Sequence, residues 1–183
     1  MVDRSGGLNR EKICCHAANS YALLSDANTH LDRVRAGEAL YGEMAIPGVS
    51  LGGSIMRFKT RIASINEYPK GSSVSYEREH VLRRDSRVAT VLVGYANGYR
   101  RAFSHRGEML VRGQRAPVIG RVSMNVTTID ISDIPEARLG DEVVIFGRQG
   151  QECISESEIE TINQALMEDL YTVWGRCNPR VVV

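Results

Sequence analysis

The sequence predicts a mostly β domain, preceded by a short α/β lead-in and ending in a helix. Three observations carry this. Met56, Phe58, Thr60 and Ile62 alternate with Arg57, Lys59 and Arg61, the period of two of a half-buried strand. Short apolar runs separated by Gly and Pro recur from there to residue 146. Ile159, Ile162, Leu166, Leu170 and Val173 then return at helical spacing.

In chain order, residues 1–12 are polar. Ile13-Cys14-Cys15 is a short apolar run, and Asn19 or Ser20 can cap a helix through Tyr21, Leu23 and Leu24. The segments 31–35 and 36–42 continue a strand–turn–helix pattern. They are too short to cover both faces of a parallel sheet. Composition shifts at Ile46-Pro47-Gly48, which sets a boundary between residues 1–46 and 47–183. Beyond it, Pro69-Lys70-Gly71 is a turn, 74–76 is extended, and 88–93 suits a central strand. A hairpin turns at Gly113, and strands follow over 126–131 and 141–146, the latter after a Leu139-Gly140 turn. A small barrel or a sandwich accommodates this pattern. Ser155 and Glu158 form a capping box, flanked by Ile154 and Ile159 as a staple. The helix is expected to run on to Gly175.

Composition narrows the function. Among 183 residues the formal net charge is +1, which carries no nucleic-acid or membrane-surface signature. No apolar run approaches the ~18 residues of a membrane span. The segment MVDRSGGLNREK has no apolar signal region, so the chain as written is expected to be cytoplasmic; an export signal on an intact protein would make it periplasmic. Cys14, Cys15, Cys153 and Cys177 show no C-x-x-C spacing, and the four histidines lack metal-site spacing, so no metal is expected.

Chemistry concentrates in a few places. The stretch 91–125 is dense in Gly, Tyr and Arg. His16-Ala17-Ala18-Asn19-Ser20 and Arg35-Ala36-Gly37-Glu38 offer small residues at helix starts, which suits a phosphate and equally two ordinary βα turns. Tyr76, Tyr95 and Tyr99 are tyrosines that a cation or relay would have to activate; Arg35, Arg78, Arg100, Arg101 and Arg121 are candidate neighbours.

Together the segments HAANSYALLS (16–25), VRAGEALYG (34–42), SSVSYEREHVLRRDSR (72–87), VGYANGYRRAFSHRG (93–107), RAPVIGRVSMN (115–125) and GDEVVIFGRQG (140–150) resemble the pyridoxal-phosphate-dependent alanine racemase family. The V-S-M-N and DLYTVWG-x-x-NP segments are most similar to its broad-specificity amino-acid racemase branch. The resemblance implies that residues 1–46 are the C-terminal remnant of a (β/α)8 barrel that binds the cofactor. Residues 47–183 would be the family's C-terminal β domain.

It further implies that Tyr76 is the catalytic tyrosine. His16 would lie beside the cofactor ring and Arg35 would face its pyridine nitrogen. Ser20, Gly37 and Glu38 would bind phosphate, Glu38 through its backbone N–H alone. Tyr95 and Met124 would contact the amino-acid substrate, and the intact enzyme would be a homodimer pairing one subunit's barrel with the other's β domain. Asn125 and Asn97 stand where the family more often has aspartate, and its late phosphate-contacting tyrosine has no clean counterpart. The lysine that attaches the cofactor and serves as second base is not matched by Lys12, Lys59 or Lys70. The expectation is thus a racemase fragment, an isomerase by family, inactive alone. The alternative is a non-catalytic β module that complements a separate barrel-bearing chain.

Overall fold

The computed structural model describes residues 13–42 and 46–182. The chain divides into two compact units, one within residues 1–56 and one from Arg57 onward, later than the composition shift at 46/47.

In the first unit, helix α1 (Ser20–Ser25) is capped by Asn19, whose Oδ1 accepts the Ala22 N–H at 3.0 Å. This satisfies one of the donors a helix start leaves open. The strands expected over 13–15 and 31–34 reduce to a single parallel bridge, His16 to Arg33. Leu31 sits in a turn at φ +54°, which takes it out of any strand. Two backbone bonds flank the bridge, Asp32 N–H to Cys15 O (3.1 Å) and Arg35 N–H to Ala18 O (2.8 Å). Glu38–Leu40 is one 3₁₀ turn.

The second unit is built on β1 (Phe58–Tyr68), where buried Phe58 and Ile62 alternate with exposed Lys59 and Arg61 as the period of two requires. The strand is long because it serves two neighbours. Its first half pairs antiparallel with β8 (Glu142–Gln149), its second half with β4 (Ser86–Val91). A bulge between Ile62 and Ser64 bends it between the two. With β5 (Glu108–Val111), β6 (Gln114–Pro117) and β7 (Thr127–Asp130), the strand order is β6-β5-β8-β1-β4-β7. The ends of this path meet. Val118 bridges Ile129, and Ile119 N–H donates to Thr128 O at 3.0 Å. Of the two architectures the sequence allows, the domain is therefore a closed barrel, which leaves no edge along this seam. The short β2 (Ser73–Val74) and β3 (His80–Val81) pair with each other outside it, and β9 (Glu152–Ile154) pairs with β8. Tyr76 is not in an extended segment as expected: it starts a 3₁₀ turn, Tyr76–Arg78.

Residues 143–146 of β8 are buried on both faces. One face lines the barrel interior. The other receives the C-terminal helices, where Phe146 meets Tyr171 and Trp174 at centroid distances of 6.1 and 5.8 Å, and Phe58 stacks on Trp174 at 4.7 Å. The expected single helix is two: α2 (Glu156–Asn163) and α3 (Met167–Cys177). Gln164 breaks them by adopting the left-handed conformation, and Glu160 Oε1 then accepts the Met167 N–H at the start of α3. Leu166, placed on the buried face by periodicity, is exposed; Met167, Leu170, Tyr171 and Trp174 form that face. Gly175 does not stop the helix. One interior Gly costs about 1 kcal/mol against Ala, less than burying Trp174 beside it returns. The stop is Asn178-Pro179, where the residue before proline is driven extended. The capping box at Ser155 and Glu158 forms as expected.

Trp174 is 4% exposed and joins three aromatic contacts. Trp174→Ala is expected to destabilise the second unit by about 3–5 kcal/mol, read from urea unfolding of the full chain, with Trp174→Phe intermediate.

Candidate functional site

The site residues predicted from sequence fall in both units, and each group is described within its own unit. In the first, Ser20 is buried at the first position of α1. Its Oγ accepts two backbone N–H groups, from Gly37 (3.0 Å) and Ala39 (3.2 Å). Ser20, Gly37 and Glu38 are thus brought to one point by the same turn. Arg35 lies two residues before Gly37, and its Nη2 donates to Ala17 O at 2.9 Å. His16 lies exposed at the bridge that aligns the two segments.

These residues fit the phosphate and ring portions of pyridoxal phosphate. The N–H groups of Gly37 and Ala39 converge on the Ser20 hydroxyl, a β-carbon placed on Gly37 would meet nothing within 4 Å, so a group bonded to that hydroxyl has room to approach, and Arg35 two residues earlier supplies a cation in the same segment. The described residues of this unit contain no lysine. Lys59 is paired with Glu142 at 2.9 Å on the barrel, and Lys70 sits in the turn after β1. Lys12 lies outside the described residues.

In the second unit, Tyr76, Tyr95 and Met124 are all exposed, at 65%, 44% and 56%. Residues 120–126, the strap that follows barrel closure, carry all three. Tyr95 N–H donates to Ser123 O (3.0 Å) and Ala96 N–H to Met124 O (2.9 Å). Gly94 permits this: a β-carbon there would lie 2.2 Å from Ser123 O and 2.5 Å from Met124 O. The Tyr76 turn docks on the other end of the strap. Ser75 Oγ accepts the Arg121 N–H at 2.8 Å and packs against Gly120, whose φ is +73° and where a β-carbon would meet Ser75 Cβ at 2.2 Å. Sequence reasoning missed Ser75, Gly94 and Gly120 as scaffold. Glycine next to an aromatic or arginine in both GYANG and GRVSMN was the available signal.

The charges around Tyr76 are organised by Arg121. It contacts Glu79 through Nε and Nη2 and Glu77 at 3.1 Å, while His105 lies 3.7 Å from Glu79 and stacks on His80. The hydrogen bond from Arg121 holds the Glu79 carboxyl below its ordinary range. Burial, then the charges of His105 and Arg83, pushes His80 down against the opposing pull of Asp130. Tyr99 is not a candidate base. It is fully buried against Phe103, and burial drives its phenol far above its ordinary value.

Asn97 and the terminal Asn178-Pro179 are partners. Asn178 Nδ2 donates to Asn97 O (2.9 Å), Asn97 Nδ2 to Asn178 Oδ1 (3.3 Å), and Trp174 Nε1 to Gly98 O (3.1 Å). These bonds hold the Tyr95 turn against α3 and its C-terminal end.

The family description "Alanine racemase, C-terminal domain" matches residues 55–182. The broad specificity amino-acid racemase of Pseudomonas taetrolens is 51% identical over 175 residues, covering 96% of this chain and 42% of that protein. The crystal structure of alanine racemase from Bacillus anthracis with bound L-Ala-P superposes with a TM-score of 0.82 at 31% identity, over 92% of this chain and 44% of that one. The alanine racemase from Bartonella henselae with covalently bound pyridoxal phosphate gives 0.81 at 25% identity, over 91% and 46%. The chain spans less than half the length of the relatives it matches.

Two outcomes are expected. Gly94→Ala forces backbone apart and should cost about 1–3 kcal/mol, read by urea unfolding. Acidification should weaken the second unit in two steps. The folded state resists protonating His80, so stability is full above the unfolded histidine value of about 6.5 and declines as pH falls below it. Glu79, depressed in the fold, contributes above the ordinary carboxylate value and loses that contribution as pH falls through its lowered pKa. Melting temperature against pH should lose its upper limb in His80→Gln, while Glu79→Gln should only shrink the lower limb, because Asp133, Asp141 and Glu158 are also held below their ordinary range by their hydrogen bonds.

Proposed function

This chain belongs to the alanine racemase family, and on that premise we propose that it is the C-terminal part of a pyridoxal-phosphate-dependent amino-acid racemase that supplies the tyrosine base. The observation that carries the proposal is the common mounting of Tyr76, Tyr95 and Met124 on one strap, with all three side chains exposed. A base that exchanges a proton with an external substrate has to be presented in this way.

When bound, the cofactor supplies the electron sink that stabilises negative charge at the substrate Cα. Ser20 and the N–H groups of Gly37 and Glu38 would hold its phosphate, Arg35 would face its pyridine nitrogen, and His16 would flank its ring. Tyr76 Oη would move the proton on one face of Cα, and Tyr95 and Met124 would bound the amino acid. The opposite face needs a second base, the lysine of the family, whose context none of Lys12, Lys59 and Lys70 reproduces. We therefore expect no racemisation by this chain alone. Its working form would be the family's homodimer arrangement, with a barrel-bearing subunit facing the strap. Asn97 and Asn125 favour substrates broader than alanine. The closed barrel of the second unit, with its own core, also favours a second reading, a β module that complements a separate barrel-bearing chain.

Incubation with pyridoxal phosphate and borohydride should leave no adduct on one specific lysine, and alanine, lysine and arginine should keep their optical rotation. Turnover by the isolated chain would sink the proposal. Co-expression with a barrel half carrying the lysine should restore racemisation, and Tyr76→Phe should then lower kcat by roughly 10²–10⁴-fold. Stable association without turnover would favour the module reading.

A further inference from the structure

The turn that presents Tyr76 has little regular structure to hold it. The hairpin beneath it is two residues long on each side. Ser75, Glu77 and Arg78 lie at φ +73°, +59° and +54°, a region that residues with side chains adopt only when their surroundings impose it. The imposing contacts converge on one residue of the strap. Arg121 donates its backbone N–H to Ser75 Oγ at 2.8 Å, and its carbonyl accepts from the same hydroxyl at 3.3 Å. Its guanidinium reaches both carboxylates that follow Tyr76 in sequence, Glu79 through two nitrogens and Glu77 at 3.1 Å. The Arg121 backbone thus holds strained Ser75 on one side of Tyr76, and its side chain holds strained Glu77 and, past Arg78, Glu79 on the other.

From this geometry we infer that Arg121, acting through Glu77 and Glu79, is a positioning residue for Tyr76. The inference rests on the reading of Tyr76 as the base. It separates two roles that a nearby arginine could take. An arginine that activated the phenol would keep its charge for the phenolate. Arg121 has its charge matched by two carboxylates, so its contribution is the shape of the turn. An ordinary exposed ion pair contributes little to global stability. Its removal is therefore expected to release the Tyr76 turn while leaving the barrel intact.

The test uses the full chain alone and needs no turnover. Tyrosines are replaced biosynthetically by 3-fluorotyrosine, and the Tyr76 resonance is assigned by its loss in Tyr76→Phe. In Glu79→Gln, and again in Arg121→Gln, the Tyr76 resonance should move toward the value of the urea-unfolded chain. The resonances of buried Tyr99 and Tyr171 should stay in place. Hydrogen exchange of the Arg121 amide should accelerate by about tenfold or more, and Glu79→Asp should recover part of the protection. A Tyr76 resonance unmoved in both variants overturns the inference. So does a joint shift of Tyr99 and Tyr171, because Arg121 would then be a general fold contact. If complementation fails while Tyr76 is released as described, the racemase reading falls and the clamp stands. If complemented activity depends on Tyr76 while the turn ignores Arg121, the reverse holds.

Discussion

Closure of the barrel between Val118 and Ile129 is the constraint on which the candidate site depends. The bridge between them, with the Ile119 and Thr128 bonds beside it, joins the two ends of a strand path that begins at β6 and ends at β7. The chain between these partners cannot continue a ladder, so it leaves the wall as the strap of residues 120–126. A strap pinned at both ends by a closed sheet is a fixed platform. Its outward carbonyls at Ser123 and Met124 take the N–H groups of the Tyr95 turn, and its backbone at Arg121 takes the Ser75 hydroxyl. Rigid structure thus positions the irregular segments that carry the candidate residues, a common division of labour.

Glycine makes both dockings possible, for different reasons. At Gly94 the limit is distance, since any side chain would collide with two carbonyl oxygens that have no room to retreat. At Gly120 it is conformation as well, because φ is +73° and Ser75 fills the space above it. On the far side, Trp174 and Asn178 bind the backbone of residues 97 and 98, so α3 buttresses the Tyr95 turn while covering β8.

Strand content was legible because the alternation at 56–62 and the apolar runs at 88–93 and 141–146 follow directly from which faces meet the core. The capping box was legible because both of its partners lie three residues apart. The C-terminal helix misled, since periodicity places Leu166 on the buried stripe and cannot see that Gln164 turns left-handed between two shorter helices. Gly175 misled for the opposite reason: a weak local preference is outweighed by the burial of Trp174. In the first unit, apolar runs suggested strands, yet an isolated parallel pair yields one bridge.

By itself the sequence determined the family and the β character of the larger unit, because these depend on composition, periodicity and short motifs. It also named Arg121 among several arginines able to neighbour a tyrosine. Only the tertiary structure decided that Arg121 binds the two glutamates that follow Tyr76, that Tyr99 is buried, and that Tyr76, Tyr95 and Met124 share one strap. Each of these is a contact between residues far apart in the chain. It is set by how the barrel closes, and no local pattern encodes that.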